Sequence, residues 1–287
     1  MNKIALGTVQ FGCNYGILNV SGKTAFLEAR KIIKLAKKSS IDLVDTAISY
    51  GDSEKTLGKI GILDFKIVSK LPPLLNYNQN INSIIEEMVE GILQRLKIKS
   101  LYGLLLHRPK DIIGTNGTKI IEALSSLKKN GKINKIGISI YDPSEIQEVI
   151  DILNIDIIQC PLNVIDRRIE KSGWLKKLQS KNIEIHTRST FLQGLLIAQE
   201  NKIPHKFKRW SHLFDRWFLK LKKSNLNPIH ACLSYPLSLP EIDRVIIGVE
   251  NVNQLETIIN FTKADILTND FSFMISNDKL LINPNNW

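Results

Sequence analysis

An eight-stranded parallel α/β barrel, the (β/α)8 or TIM-barrel class, is predicted by three features of the sequence. Short β-branched or apolar runs alternate with longer segments of helical period from one end of the chain to the other, the pattern of repeated βαβ units. Eight such units can be counted, which favours a closed barrel over a doubly wound sheet, although periodicity alone leaves both open. No low-complexity linker interrupts the alternation, so residues 1–287 are expected to form one domain, a length barrels of this class reach.

In chain order, strands are expected at residues 4–7, 43–45, 66–70, 102–107, 135–139, 157–160, 184–188 and 245–248. Amphipathic segments lie between them at 23–39, 82–96, 119–129, 143–153, 174–180 and 253–262, with apolar residues every three to four positions. Asp142 and Pro143 read as a cap and first helical residue, and Asn130 with Gly131 as a helix stop. The longest departure, 195–226, holds Lys202, Lys206, Lys208, Arg209, Trp210 and Trp217 and is long enough for a loop and helix over one barrel mouth.

Apolar residues make up 43% of the chain and charged residues 23%, enough for a substantial core and inconsistent with disorder. The net charge of +11 raises nucleic acid or a membrane surface as partners. The lysines are dispersed through helix-like segments without an aromatic-rich basic motif, so neither partner is expected and the charge reads as solvated helix faces. Cys13, Cys160 and Cys232 show no CxxC or zinc spacing, and a reducing cytoplasm fits them. Residues 1–11 are too short and poorly flanked for a signal peptide, and no apolar run approaches the ~18 residues of a membrane span.

Reactive groups in such barrels lie at the C-terminal ends of strands and in the loops that follow. Asp45 ends the second strand, Tyr50 lies in the next loop, Lys70 ends the third strand and His107 the fourth. Singly, each has an ordinary explanation in turn chemistry, a loop aromatic or a polar strand end. Together, a carboxylate, a phenol, an ammonium and an imidazole are the parts needed to protonate a carbonyl oxygen as hydride arrives. A lysine cation is expected to lower the pKa of Tyr50 from about 10 toward neutrality, with Asp45 holding the lysine in place.

These residues sit in segments that resemble the aldo-keto reductase family. The resemblance runs through LGTVQFGCNYG near the start, DTAISYGDSEKTLGK around Tyr50, IVSK ending at Lys70, LLLHRPKD with His107, GKINKIGIS, IIQCPLN and IIGVENVNQLE, and so covers nearly the whole chain. It implies NAD(P)H-dependent reduction of an aldehyde or ketone, with a sugar-derived carbonyl as one family precedent, and Tyr50 as general acid of a tetrad with Asp45, Lys70 and His107. It further implies that Ser139 and Gln159 bind the nicotinamide carboxamide with Asn163 nearby, and that Gly248, Val249, Asn251 and Gln254 hold the adenosine phosphate.

Two positions depart from that pattern. The aromatic that stacks on the nicotinamide in many relatives is replaced by Arg188 in HTRSTFLQGLL. Its guanidinium plane can stack on the ring and would favour the uncharged reduced cofactor; alternatively it turns away to pair with an acidic side chain. After the eighth strand, basic residues expected for a 2′-phosphate are absent and Glu250 is close, so NADH stands beside the family default, NADPH. Backbone groups of Gly248, Val249 and Asn251 at a helix start can still cradle phosphate.

Three other readings compete. Lys70 as a Schiff-base nucleophile suits aldolase chemistry; a regulatory protein with a cofactor pocket and little turnover is a second; metal hydrolysis is a third, disfavoured because the five histidines show no HxH or HExxH spacing. The basic segment 202–209 is expected to cover the cofactor pyrophosphate, attract an anionic substrate or form a solvated face. Cys13 and Tyr15 are candidates for the substrate mouth, and the tail from 266 to 287 is free to reach either end of the barrel.

Overall fold

Eight β-branched and leucine-rich runs become eight parallel strands because each alternates between two apolar environments, the barrel lumen and the surrounding helices. In the computed structural model, which describes residues 3–74 and 80–287, these are β1 (Ile4–Gly7), β2 (Leu43–Asp45), β3 (Lys66–Leu71), β4 (Leu101–Leu106), β5 (Ile133–Ser139), β6 (Ile157–Pro161), β7 (Glu184–Arg188) and β8 (Arg244–Gly248). Each pairs with the next, and β8 returns to β1 through Ile4↔Val245 and Gly7↔Gly248, closing the barrel. Met1 and Asn2, the first residues of the stretch weighed as a leader, lie outside the described residues.

The helices are α1 (Phe26–Lys38), α2 (Ser53–Ile60), α3 (Ile81–Leu96), α4 (Gly117–Lys129), α5 (Ile146–Ile150), α6 (Arg168–Lys171), α7 (Trp174–Ser180), α8 (Ser211–Lys223), α9 (Pro228–Ser238), α10 (Val252–Lys263) and α11 (Lys279–Ile282). Outward strand residues such as Leu104, Leu106, Ile136, Ile138, Ile185 and Ile247 pack against them. Ala5, Leu43, Val68, Leu105, Ile157 and Ile246 form a separate apolar layer inside the lumen. Gly137 belongs to that interior for a steric reason: a Cβ there would stand 2.4 Å from both the Ile157 carbonyl and the Leu105 side chain.

The expected cap at Asp142 forms, with Ser144 N–H donating to Asp142 Oδ1 at 3.1 Å and Asp142 N–H to Glu145 Oε1 at 3.0 Å. The helix it opens is shorter than expected, a single 3-10 turn (Pro143–Glu145) leading into α5. The stop at Gly131 takes φ +70°, which a side chain would strain.

The long segment after β7 folds into 3-10 turns, α8 and α9, and buries Phe207, Phe214 and Trp217 in a second core with Phe271, Met274, Leu281 and Ile282 of the tail. Trp217 Nε1 donates to Leu196 O at 3.1 Å, so its buried indole is satisfied. Among the described residues, no helix is long and apolar enough to cross a membrane.

Candidate active site

Strands β2, β3 and β4 end side by side, with Asp45 opposite Val68 and Lys70 opposite Leu105, so period-2 alternation points Asp45, Lys70 and His107 toward the same mouth. The β2–α2 loop carries Tyr50 back over them. Hydroxyl groups fasten that loop: Thr8 Oγ1 donates to Asp45 O at 2.9 Å, Ser53 Oγ to Thr8 O at 2.9 Å, and Thr46 Oγ1 to Ser53 Oγ at 3.1 Å. Gly12 lets the β1 loop cross beneath it, because a Cβ there would lie 1.8 Å from Tyr50 O and 2.4 Å from Ser53 N. The glycine of the first motif is thus required by the packing of the second.

Lys70, wholly buried, sits at the centre. Its Nζ donates to Asp45 Oδ2 at 2.6 Å, Thr46 O at 3.0 Å and Tyr50 Oη at 3.4 Å, which uses all three ammonium protons. Gln159 Nε2 occupies the other carboxylate oxygen, donating to Asp45 Oδ1 at 2.7 Å. The Tyr50 and His107 rings meet edge to face with centroids 6.3 Å apart. A Schiff-base role needs a reachable, unbonded amine; Lys70 does not line the cavity and has no spare donor.

Burial dominates the electrostatics. Desolvation, with the Asp45 carboxylate adding to it, pushes the Tyr50 phenol above its ordinary value, so the lowering expected from Lys70 is overturned. Burial also pulls Lys70 down, opposed by Asp45. His107 is depressed to about 3 by burial, then by the charges of Lys70 and Arg188, and is a neutral imidazole at ordinary pH. The site at rest therefore holds a firmly protonated phenol beside a neutral ring.

Above this group opens a cavity of about 510 Å³. Asp45, Tyr50, His107, Gln159 and Arg188 line its inner end, and Gly248, Glu250 and Gln254 its far end. Arg188 neither turns to an acid nor points freely: Nη2 donates to Ile140 O at 2.9 Å, Nη1 to Ser189 Oγ at 3.3 Å, and the guanidinium lies 4.3 Å from the Tyr141 ring centroid.

The remaining sequence-predicted residues are not on the cavity wall. Ser139 is buried beside Gln159 in the β5–β6 register. Asn163 secures the loop after β6, accepting from Ile165 N and Asp166 N and donating to Ser189 O at 3.0 Å. Val249 is buried in the outer layer, and Asn251 caps α10 by accepting from Gln254 N at 3.0 Å. Lys206 lies over Phe207 and Trp287, and Arg209 pairs with Asp278 at 3.4 Å, so these two cations of the basic segment engage the tail rather than the cavity.

Gln10, Tyr141, Thr190 and Asn285 line the cavity without having been singled out from sequence. Only tertiary contact brings them there, since Tyr141 follows β5 and Asn285 belongs to the tail. Tyr15 reaches the mouth as expected, and Pro284 with Asn285 places the tail there too.

The model of the Aldo/keto reductase family matches residues 3–275. The chain belongs to the aldo-keto reductase family. It is therefore an NAD(P)-dependent oxidoreductase acting on carbonyl groups. The aldo-keto reductase YhdN of Bacillus subtilis (strain 168) is 25% identical over 291 residues, 91% of this chain and 85% of that protein. An Escherichia coli (strain K12) protein named NADH-specific methylglyoxal reductase is 28% identical over 182 residues, 56% of each chain. Among solved structures, the holo form of aldo-keto reductase AKR11C1 from Bacillus halodurans superposes with a TM-score of 0.73 at 23% identity, over 93% of this chain and 88% of that one. Glycerol dehydrogenase AKR11B4 from Gluconobacter oxydans gives 0.72 at 21% identity, with 93% and 88% covered.

The cavity fits the family's dinucleotide on its own chemistry. Gln10 Oε1 and Thr190 Oγ1 are buried without a hydrogen-bond partner among the described residues, and both residues line it; such orphaned groups are costly unless a ligand completes them. Gly248 leaves room at the far end, where a Cβ would stand 2.7 Å from the Gln10 amide.

Proposed function

We propose that the protein reduces a small aldehyde or ketone with Tyr50 as general acid, using NADH in preference to NADPH. When bound, the reduced nicotinamide would supply the hydride for the carbonyl carbon, leaving the oxidised cofactor. Tyr50, kept protonated by burial, donates its phenolic proton to the carbonyl oxygen. The phenolate this leaves is stabilised by Lys70 Nζ, already 3.4 Å from the phenol oxygen, while Asp45 holds the ammonium in place. Neutral His107 offers a ring N–H to the same oxygen and orients it without competing as an acid.

The observation that carries this reading is the Asp45–Lys70–Tyr50 chain of hydrogen bonds beneath the cavity. Gln10, Gln159, Thr190, Gly248 and Gln254 are the residues assigned to the dinucleotide. The preference for NADH is supported by Glu250 on the cavity wall, where a 2′-phosphate would meet a carboxylate. The name of the Escherichia coli relative points the same way.

Tyr50→Phe tests the assignment. Turnover of a small aldehyde should fall by about 10²–10⁴, while fluorescence titration with NADH gives an unchanged Kd. Retained turnover would remove Tyr50 from the proton transfer.

A further inference from the structure

The carboxylate of the reactive group is gripped from across the barrel. Leu43 and Ile157 belong to the apolar layer inside the lumen, and the residues two positions on, Asp45 and Gln159, stand above that layer by strand alternation. Their strands, β2 and β6, are four places apart in the closed ring of eight and face each other across the lumen. Gln159 Nε2 spans that gap to Asp45 Oδ1 at 2.7 Å, between two buried side chains. An ionised carboxylate only accepts, so the amide must turn its N–H to Asp45, which directs Oε1 elsewhere. Among the described residues nothing donates to that oxygen, and Gln159 lines the cavity.

Among the described residues, the Asp45 side chain has two donors, Lys70 on Oδ2 and Gln159 on Oδ1. The terminal torsion of an aspartate is broad, so a carboxylate held at one oxygen swings about that contact, and a second grip from the opposite wall fixes its plane. That plane sets where Lys70 Nζ sits. The Lys70–Tyr50 contact, 3.4 Å, is at the outer edge of a hydrogen bond and is lost on a small displacement. We infer that Gln159 is the positioning residue of the proton-donating chain: through Asp45 it holds Lys70 against Tyr50, where the phenolate left by proton transfer needs the ammonium. This role stands beside the assignment of Gln159 to the dinucleotide, with Nε2 engaged by Asp45 and Oε1 left for the cofactor, and it rests on Tyr50 as general acid.

The test separates the two ends of the amide. Gln159→Met keeps the length of the side chain and removes the donor to Asp45. Reduced 3-acetylpyridine adenine dinucleotide, with a methyl ketone in place of the carboxamide, offers Oε1 no N–H. With 4-nitrobenzaldehyde and saturating cofactor, single-turnover hydride transfer should slow by about 10–100-fold in Gln159→Met, with NADH and with the analogue alike, the size of a hydrogen bond to a charged group. Kd for the analogue, read by quenching of protein fluorescence, should stay within about twofold of wild type. In a Tyr50→Phe background the same substitution should change the rate by less than about twofold, because its effect passes through the phenol. Gln159→Glu supplies a donor only when protonated. Its rate relative to Gln159→Met should therefore rise about tenfold or more as the pH falls, the step lying above the ordinary glutamate range because two adjoining carboxylates share a proton. A loss seen with NADH but not with the analogue, full additivity with Tyr50→Phe, or a pH-independent ratio overturns the proposal. Undiminished turnover in Tyr50→Phe alone would overturn the acid assignment, and this inference with it.

Discussion

At the N-terminal end of the barrel, Glu184 of β7 accepts hydrogen bonds from Tyr102 and Lys135 and meets His186 Nε2 at 3.2 Å, whereas at the C-terminal end the Asp45 carboxylate accepts from Lys70 and Gln159 while Tyr50 and His107 lie beyond it. Both are polar groups taken out of water, yet their protonation shifts oppose each other. Burial acts to raise Glu184, but the donors from His186, Lys135 and Tyr102 outweigh it and hold the carboxyl at about 2. At the other end burial wins, and the phenol rises while the imidazole falls to about 3. A polar network with enough donors for its charge stabilises the ionised form and acts as structure. Around the paired Asp45 and Lys70, burial keeps the Tyr50 phenol and the His107 ring neutral and ready to move a proton, the condition expected of a reactive site.

The largest effect that would break this contrast comes from removing its two central charges. Lys70→Met strands the buried Asp45 carboxylate and should cost about 3–5 kcal/mol of stability together with turnover. Glu184→Gln, at a side chain 25% exposed, should cost no more than about 1–3 kcal/mol and leave kcat within about twofold. Urea unfolding and steady-state kinetics on both variants check this; loss of turnover in Glu184→Gln would erase the division of roles.

The two ends should also separate on a pH axis. Unfolded His107 takes a proton near 6.5 and the folded residue only near 3, so stability present above pH 6.5 is lost progressively as the pH falls below it. Glu184 binds its proton near 4.5 unfolded and about 2 folded, so its loss begins only below about pH 4.5. Between these values the slope of stability against pH should flatten in His107→Gln and persist in Glu184→Gln, as read from urea midpoints. The smallest effect belongs to the far end of the cavity: Glu250→Lys should tighten NADPH by about tenfold and change NADH less, as followed by fluorescence titration.

The alternation of apolar runs with helical segments was sufficient to predict every strand, because each strand needs only a local pattern and a partner on either side. Residues 4–7, 43–45 and 184–188 match their strands end to end. The short helix α2, beginning at Ser53, was hidden inside a motif dominated by polar residues, and its buried Ser53 and Glu54 pack through hydrogen bonds rather than apolar periodicity. Asp45, Tyr50, Lys70 and His107 were legible because strand ends and the loops after them converge by geometry in this class of barrel.

What sequence alone determined was thus the barrel, its family and the set of reactive residue types. Tertiary structure decided the rest. It turned the Tyr50 shift upward, because desolvation depends on how completely a side chain is covered and no linear pattern records that. It brought the end of the tail to the cavity mouth, since the tail packs into the second core with α8 through contacts between residues far apart in the chain. It also left Arg188 stacked on Tyr141 without a counter-charge, a consequence of β5 and β7 loops meeting across β6, which residues 47 positions apart in the chain cannot announce.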